Sequence, residues 1–215
     1  MEHRALYGVS TSGNTEFAIV RTGSYIQYGF GGFVYQRSGG VVLPQEGQAT
    51  YSGDYGGIRD FSGAGGLEYV TGDMTVDVDF KGFRNNCSGA TCADAIRGVV
   101  SNRKFFDVDG GDRTAGYITA LNDDRPTGAA PVTEVPTIRF EVGPNVMDGN
   151  GEATGNAFST AFGDQLDEGN YYIVLSGDHT AGDGGEIVGV VVVESDDPRF
   201  TDVTVRETGG FILER

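Results

Sequence analysis

Few side chains in this 215-residue sequence are of types and at spacings that could do chemistry. Cys87 and Cys92 are its only cysteines, with four residues between them in Asn85-Asn86-Cys87-Ser88-Gly89-Ala90-Thr91-Cys92. A disulfide across so small a loop would stabilise by ~2 kcal/mol in the chain-entropy model and would pin the loop, not the fold. Two ligands do not complete a zinc site, His3 and His179 lie far off in sequence, and the spacing is not that of a CxxC redox pair. A Cys87–Cys92 disulfide formed in an oxidising compartment is the expectation, with two inert thiols as the alternative.

Asp107, Asp109 and Asp112 set carboxylates along a glycine-bent stretch in the manner of a calcium loop, but the Glu that closes an EF-hand is missing, which favours an acidic surface turn. Asp178, His179, Asp183 and Glu186 gather in one loop and could chelate a metal; with a single imidazole, a solvated hairpin tip is expected instead. Tyr25, Tyr28, Phe30, Phe33 and Tyr35 could form a binding platform, although packing against the body of the protein is the commoner use of such residues. Nucleophilic catalysis is disfavoured by the presence of only two histidines and no G-x-S-x-G elbow. There is no D-[ST]-G sequence, no P-loop, and no G-x-G-x-x-G after a strand. Carboxylates are so abundant that choosing a pair for glycoside hydrolysis would mean nothing. The expectation is a protein that is not an enzyme and carries no cofactor or metal.

The elements that must position these residues are strands. Tyr171 to Leu175 and Ile187 to Val193 are rich in β-branched and aromatic residues and flank a Gly-, Asp- and Thr-containing turn, which predicts a β-hairpin. Apolar residues on both faces of the second run predict a strand covered on both sides. In Gly72 to Phe80, Met74, Val76, Val78 and Phe80 alternate with Asp73, Thr75, Asp77 and Asp79, one face for a core and one for water. Gln48 to Tyr55, Ala95 to Ser101, Thr137 to Val142, Glu152 to Gly155, Val203 to Arg206 and Gly210 to Leu213 also read as extended. Gly56 to Thr71 reads as a long glycine-rich loop. Residues 1 to 15 read as a flexible lead-in, and residues 16 to 35 as aromatic-rich extended segments bent by glycine. Arg103 to Val135 reads as a loop region with a short helix around Ala115 to Leu121, and long irregular loops on a rigid body are where recognition concentrates.

With about eight candidate strands and no helix long enough for a βαβ crossover, an all-β, eight-stranded antiparallel up-and-down barrel is the economical architecture. A two-sheet sandwich is the alternative. The expected division is an N-terminal lead-in with handle-like strands over residues 1–43 and the barrel over 44–215. Large inward side chains such as Tyr51, Tyr55, Met74 and Phe80 argue for a filled interior.

Thirty-six glycines suit many short strands joined by tight turns, while 10 Tyr and 13 Phe supply the bulk that a Trp-free core needs. A formal charge of −16, with Lys81 and Lys104 the only lysines and no basic cluster, argues against nucleic acid and anionic membranes as partners. The same acidity keeps a strand-rich protein soluble and discourages edge-to-edge pairing. No apolar run approaches the length of a membrane-spanning helix, and the residues after Met1 do not read as a secretory leader, so the chain as it stands is expected to be soluble and monomeric. Export would require a leader upstream of this sequence.

The order of several short motifs resembles one family. Gly47-Gln48-Ala49-Thr50-Tyr51-Ser52-Gly53, Gly72 to Phe80, Ile96-Arg97-Gly98-Val99-Val100, Glu186-Ile187-Val188-Gly189-Val190 and Gly209-Gly210-Phe211 resemble the barrel domain of transferrin-binding protein B and factor H-binding protein, which are surface lipoproteins of Gram-negative bacteria. Tyr25 to Phe30 is similar to the segment that leads into such a barrel. The resemblance implies a filled eight-stranded barrel with a handle-like region packed on it. It also implies an exported protein at the outer-membrane surface or outside the cell, binding a host protein or other ligand through loops and outer surface. No binding residue is carried over. A lipocalin-like carrier of a small ligand in the periplasm is the alternative.

Overall fold

The computed structural model describes residues 3–80, 95–143, 146–182 and 184–215. β1 (His3–Val9), β2 (Thr15–Thr22) and β3 (Gly31–Arg37) form an antiparallel sheet in that order, and β4 (Val41–Val42) is a short strand beyond it. β5 (Gln48–Ser62), β6 (Leu67–Asp79) and β7 (Ala95–Asp107) follow, then helix α1 (Thr114–Asp123). β8 (Ile138–Phe140), β9 (Glu152–Ala161), β10 (Asp164–Asp178), β11 (Glu186–Asp196) and β12 (Thr204–Glu214) complete the chain. From β5 to β12 each strand pairs antiparallel with the next, and β12 pairs back onto β5. The result is a closed eight-stranded up-and-down barrel, the expected class, and closure removes the sandwich. β4 adds in parallel to the end of β10.

Inward positions follow the pleat. Tyr51 and Tyr55 on β5, Met74, Val76 and Val78 on β6, Ile96 and Val100 on β7, Tyr171 and Ile173 on β10, and Phe211 and Leu213 on β12 belong to one buried cluster with Phe80. The interior is packed, as the bulk of those side chains predicts. The second strand of the hairpin first recognised in the sequence, β11, is indeed covered twice: Val191 and Val193 face the interior, while Val188 packs outward beneath the three-stranded sheet.

Four stretches depart from the sequence expectation. Residues 3–9 are strand β1, paired with β2 from His3↔Thr22 to Val9↔Glu16, where a lead-in was expected. Gly56 to Thr71 is the middle of the β5–β6 hairpin, and only residues 63–66 turn. Its outward face is buried under the added sheet and its inward face holds charge, so neither face shows the apolar-polar alternation that marks a half-buried strand. Tyr25 to Phe30 is bent chain between β2 and β3. Arg103 to Val135 is not a free loop: β7 continues to Asp107, and Tyr117, Leu121 and Val135 belong to the core.

One turn shows how the backbone is bent so tightly. β9 and β10 are joined by Phe162-Gly163, with φ of 55° and 98°, between the paired residues Ala161 and Asp164. Two positive φ values match the strand twist of a two-residue hairpin.

Candidate functional site

The structure scatters most of the residues that the sequence singles out. Cys87 and Cys92, with the expected disulfide, lie outside the described residues, as does Asp183. Asp107 turns its carboxylate onto its own loop: Oδ1 accepts from the N–H groups of Asp109 at 3.0 Å and Gly111 at 2.7 Å, and Oδ2 from Arg113 at 2.6 Å. The Gly111 N–H leads the causes that hold its pKa below the usual carboxylate value. Asp112 Oδ1 accepts from the Thr114 N–H at 2.7 Å, at the start of α1. Both are turn-forming roles. No group of three or more His, Cys, Asp and Glu side chains that could hold a metal ion occurs among the described residues.

His179 is a correction. Expected on a solvated tip, it is 1% exposed, with Nδ1 2.5 Å from the Tyr51 hydroxyl oxygen. Its ring closes one end of the barrel against Tyr51 and Phe80. The close approach depends on Gly185, at φ 83°, where a Cβ would come within 2.5 Å of the imidazole. Burial lowers the His179 pKa to about 4. Asp178 bonds to Thr180, and Glu186 accepts from Ser12 at 2.8 Å in the turn between β1 and β2, so the acidic cluster is pulled apart.

The other end of the barrel holds a charge network that the sequence reading missed. Arg59, Arg103 and Arg199 meet Glu68, Asp167, Asp197 and Glu207 beneath α1. Arg103 reaches Glu207 at 2.6 Å and Asp167 at 3.0 Å, and donates to the Pro136 carbonyl at 2.8 Å. Arg59 pairs with Glu68 at 2.6 Å and lies 3.8 Å from the centre of the Phe105 ring, whose edge-to-face partner at 4.9 Å is Tyr117 of α1. Arg199 bridges Glu68 and Asp197, both at 2.7 Å. Burial works to raise the pKa of Asp167, but the Arg103 charge and the Ser159 and Ser195 hydroxyls outweigh it, and the net direction is down. Asp197 follows the same pattern, with Arg199 as its main counterweight. For Tyr55, whose hydroxyl donates to Glu207 at 2.9 Å, burial raises the pKa well above the phenol range. One sequence signal marks this network: Glu207 stands in the inward row Val205, Glu207, Gly209, Phe211, Leu213, a lone charge in an apolar series.

Above the network the surface combines apolar side chains with the charged Asp107, Asp112, Arg113 and Asp123. α1, the 63–66 turn and Phe200 enclose a groove of about 920 Å³, with Phe61, Leu67, Ala64, Ala115 and Ala120 among its walls. The chain between β2 and β3 is bound to the same end, since Gly63 donates to the Ile26 carbonyl and Gly66 to that of Gly23. The aromatic residues of that chain divide. Phe33 and Tyr35 pack against the barrel, and Tyr28 lies under the Arg206 guanidinium at 4.3 Å. Tyr25 and Phe30 instead pack edge to face at 5.4 Å, Tyr25 37% and Phe30 74% exposed, with Ile26 at 70% and Phe200 at 49% near the same turn. Such a gathering of exposed apolar side chains is the feature of a docking surface. The carboxylates of the network below are paired with Arg59, Arg103 and Arg199.

No family model matches the chain, and no curated protein is similar to it.

Proposed function

We propose that this chain is a non-enzymatic binding protein of the transferrin-binding-protein-B type, exported and displayed at or beyond the outer-membrane surface, and that it takes a protein partner at the α1 end of its barrel. The observation that carries this reading is the exposure of Ile26, Phe30 and Phe200, with Tyr25 packed on Phe30, near the 63–66 turn that forms one wall of the groove. Contiguous exposed apolar area on a soluble protein marks a contact site, and backbone hydrogen bonds from Gly63 to Ile26 and from Gly66 to Gly23 hold this one to the barrel. A rigid surface loses less entropy on binding.

The filled interior favours this reading over a periplasmic carrier, because a small-ligand carrier needs a cavity that Tyr51, Tyr55, Tyr171, Phe140 and Phe211 occupy. Protease shaving of intact source cells tests it. Loss of the protein while a periplasmic control survives is the expected result. Protection alongside the control would remove the surface-receptor reading and bring the carrier forward.

A further inference from the structure

The three-stranded sheet covers only part of the barrel wall. β1 lies over β12 and β5, β2 over β11 and β12, and β3 over β10 and β11, so the outer edge of β3 faces toward β9. Among the described residues β3 pairs with β2 alone. Its second row of main-chain donors and acceptors is therefore open, a feature that natural sheets generally blunt.

Beside that edge runs a groove of about 690 Å³ whose walls include Phe33, Phe158, Tyr172, Glu141, Glu168 and Glu194. The Phe33 and Tyr172 rings are 5.7 Å apart, one on the sheet and one on the barrel. Among the described residues no Lys or Arg lines the groove. Arg139, paired across the strands with Phe158, bounds the acidic stretch on its far side. Glu141 accepts from Asn156 at 2.6 Å, Glu168 from Gln165 at 3.1 Å, and Glu194 stands 4.0 Å from Arg206. All three glutamates are exposed, and a carboxylate with one partner keeps acceptor sites for more.

We propose that this groove binds an extended basic peptide segment, which adds a strand to the open edge of β3 and sets its Lys or Arg side chains between the aromatic rings and the three glutamates. Main-chain pairing supplies affinity, and alternate side chains entering the groove supply selectivity. The rings attract a cation through their faces, and the three carboxylates give it a counter-charge. This site lies on the side wall and does not depend on the α1-end surface.

The probe is a short capped peptide alternating lysine and valine, titrated against the full chain by fluorescence anisotropy at physiological ionic strength. Beside it run the same peptide with glutamate for lysine, two versions N-methylated on alternate residues, and spermidine as competitor. The lysine peptide binds and the glutamate peptide does not. Glu168→Gln with Glu194→Gln weakens binding about tenfold. Asp123→Asn with Asp124→Asn, which removes the same charge from the end of α1, changes it less than about twofold. One N-methylated peptide loses binding and the other keeps it, because a strand turns the N–H groups of alternate residues toward one edge. Equal weakening by the two double variants would reduce the attraction to overall charge and overturn the proposal. Equal behaviour of the two methylated peptides would overturn strand addition, and displacement by spermidine at matching concentration would replace the peptide with a small organic cation.

Discussion

The ring of Phe17 on β2 occupies the space above Gly210 on β12, where an added Cβ would fall 2.3 Å from its Cδ2 and Cε2 atoms. On the other face of the same strand the Tyr55 ring lies 2.0 Å from the Cβ position of Gly209. Successive glycines thus admit one aromatic from outside the barrel and one from inside. Phe17 is buried with Ile19, Ile58 and Val188, and this cluster joins the sheet to the barrel.

Gly210→Ala is therefore expected to destabilise the chain by about 1–3 kcal/mol, because the methyl group must displace a packed ring. Phe17→Leu in the Gly210→Ala background should recover part of that loss. Urea denaturation of the two single variants and the double variant measures the coupling, and strict additivity would show that the two residues do not share the space.

This contact was not legible in the sequence, although both residues were in view. Gly209-Gly210-Phe211 could be noticed as a motif, and Phe17 as one aromatic among several, but what a glycine makes room for depends on register across three strands. Gly72 to Phe80 was legible because one face meets water and alternation survives. Gly56 to Ser62 was not, because Arg59 points into the core, Asp60 lies against Arg21 and Arg206 under the sheet, and burial on both faces erases the period. His179 was misplaced for a related reason: local composition describes a polar turn, and only the fold shows that Gly185 lets the ring swing inward.

The network beneath α1 should be costly to break at one point. Arg103→Met leaves Asp167 buried without its cation and Glu207 with Arg59 alone, at 3.7 Å, an expected loss of about 3–5 kcal/mol. Adding Glu207→Gln and Asp167→Asn removes the uncompensated charge and should restore a substantial part. Thermal unfolding of both variants checks this, and a triple variant no more stable than Arg103→Met would contradict it.

His179 should give the protein a pH-dependent stability. The unfolded chain takes up a proton near the ordinary histidine value of 6.5, while the folded chain refuses it until about pH 4. The His179 contribution is whole above 6.5 and is lost as pH falls toward 4, by ~2 kcal/mol at about pH 5. Asp167 and Asp197, held below the ordinary 3.8, act in a lower window: their contribution is present above that value and is lost only as pH falls through their folded pKa values. His179→Gln should flatten the slope between neutral pH and about pH 5 in urea denaturation. An unchanged slope would mean that another group carries it.

The α1-end surface makes the functional prediction. Ile26 and Phe30 are mostly in solvent, so Ile26→Asp and Phe30→Asp should each change stability by less than about 0.5 kcal/mol. A photo-crosslinking phenylalanine analogue at position 26 or 30, in source cells kept in their native medium, should give a discrete adduct with a second protein. The same analogue in place of Val142, which is 49% exposed on a different part of the barrel, should give none. Val142 is apolar and accessible but stands away from the groove, so it tests whether exposure alone is enough. Adducts of the same mass at both places would show a generally sticky surface, and their absence at 26 and 30 would remove the α1 end as the docking site. Introducing Phe30→Asp into the position 26 crosslinker should then suppress the adduct, since a charge in the centre of an apolar contact is left desolvated and unpaired.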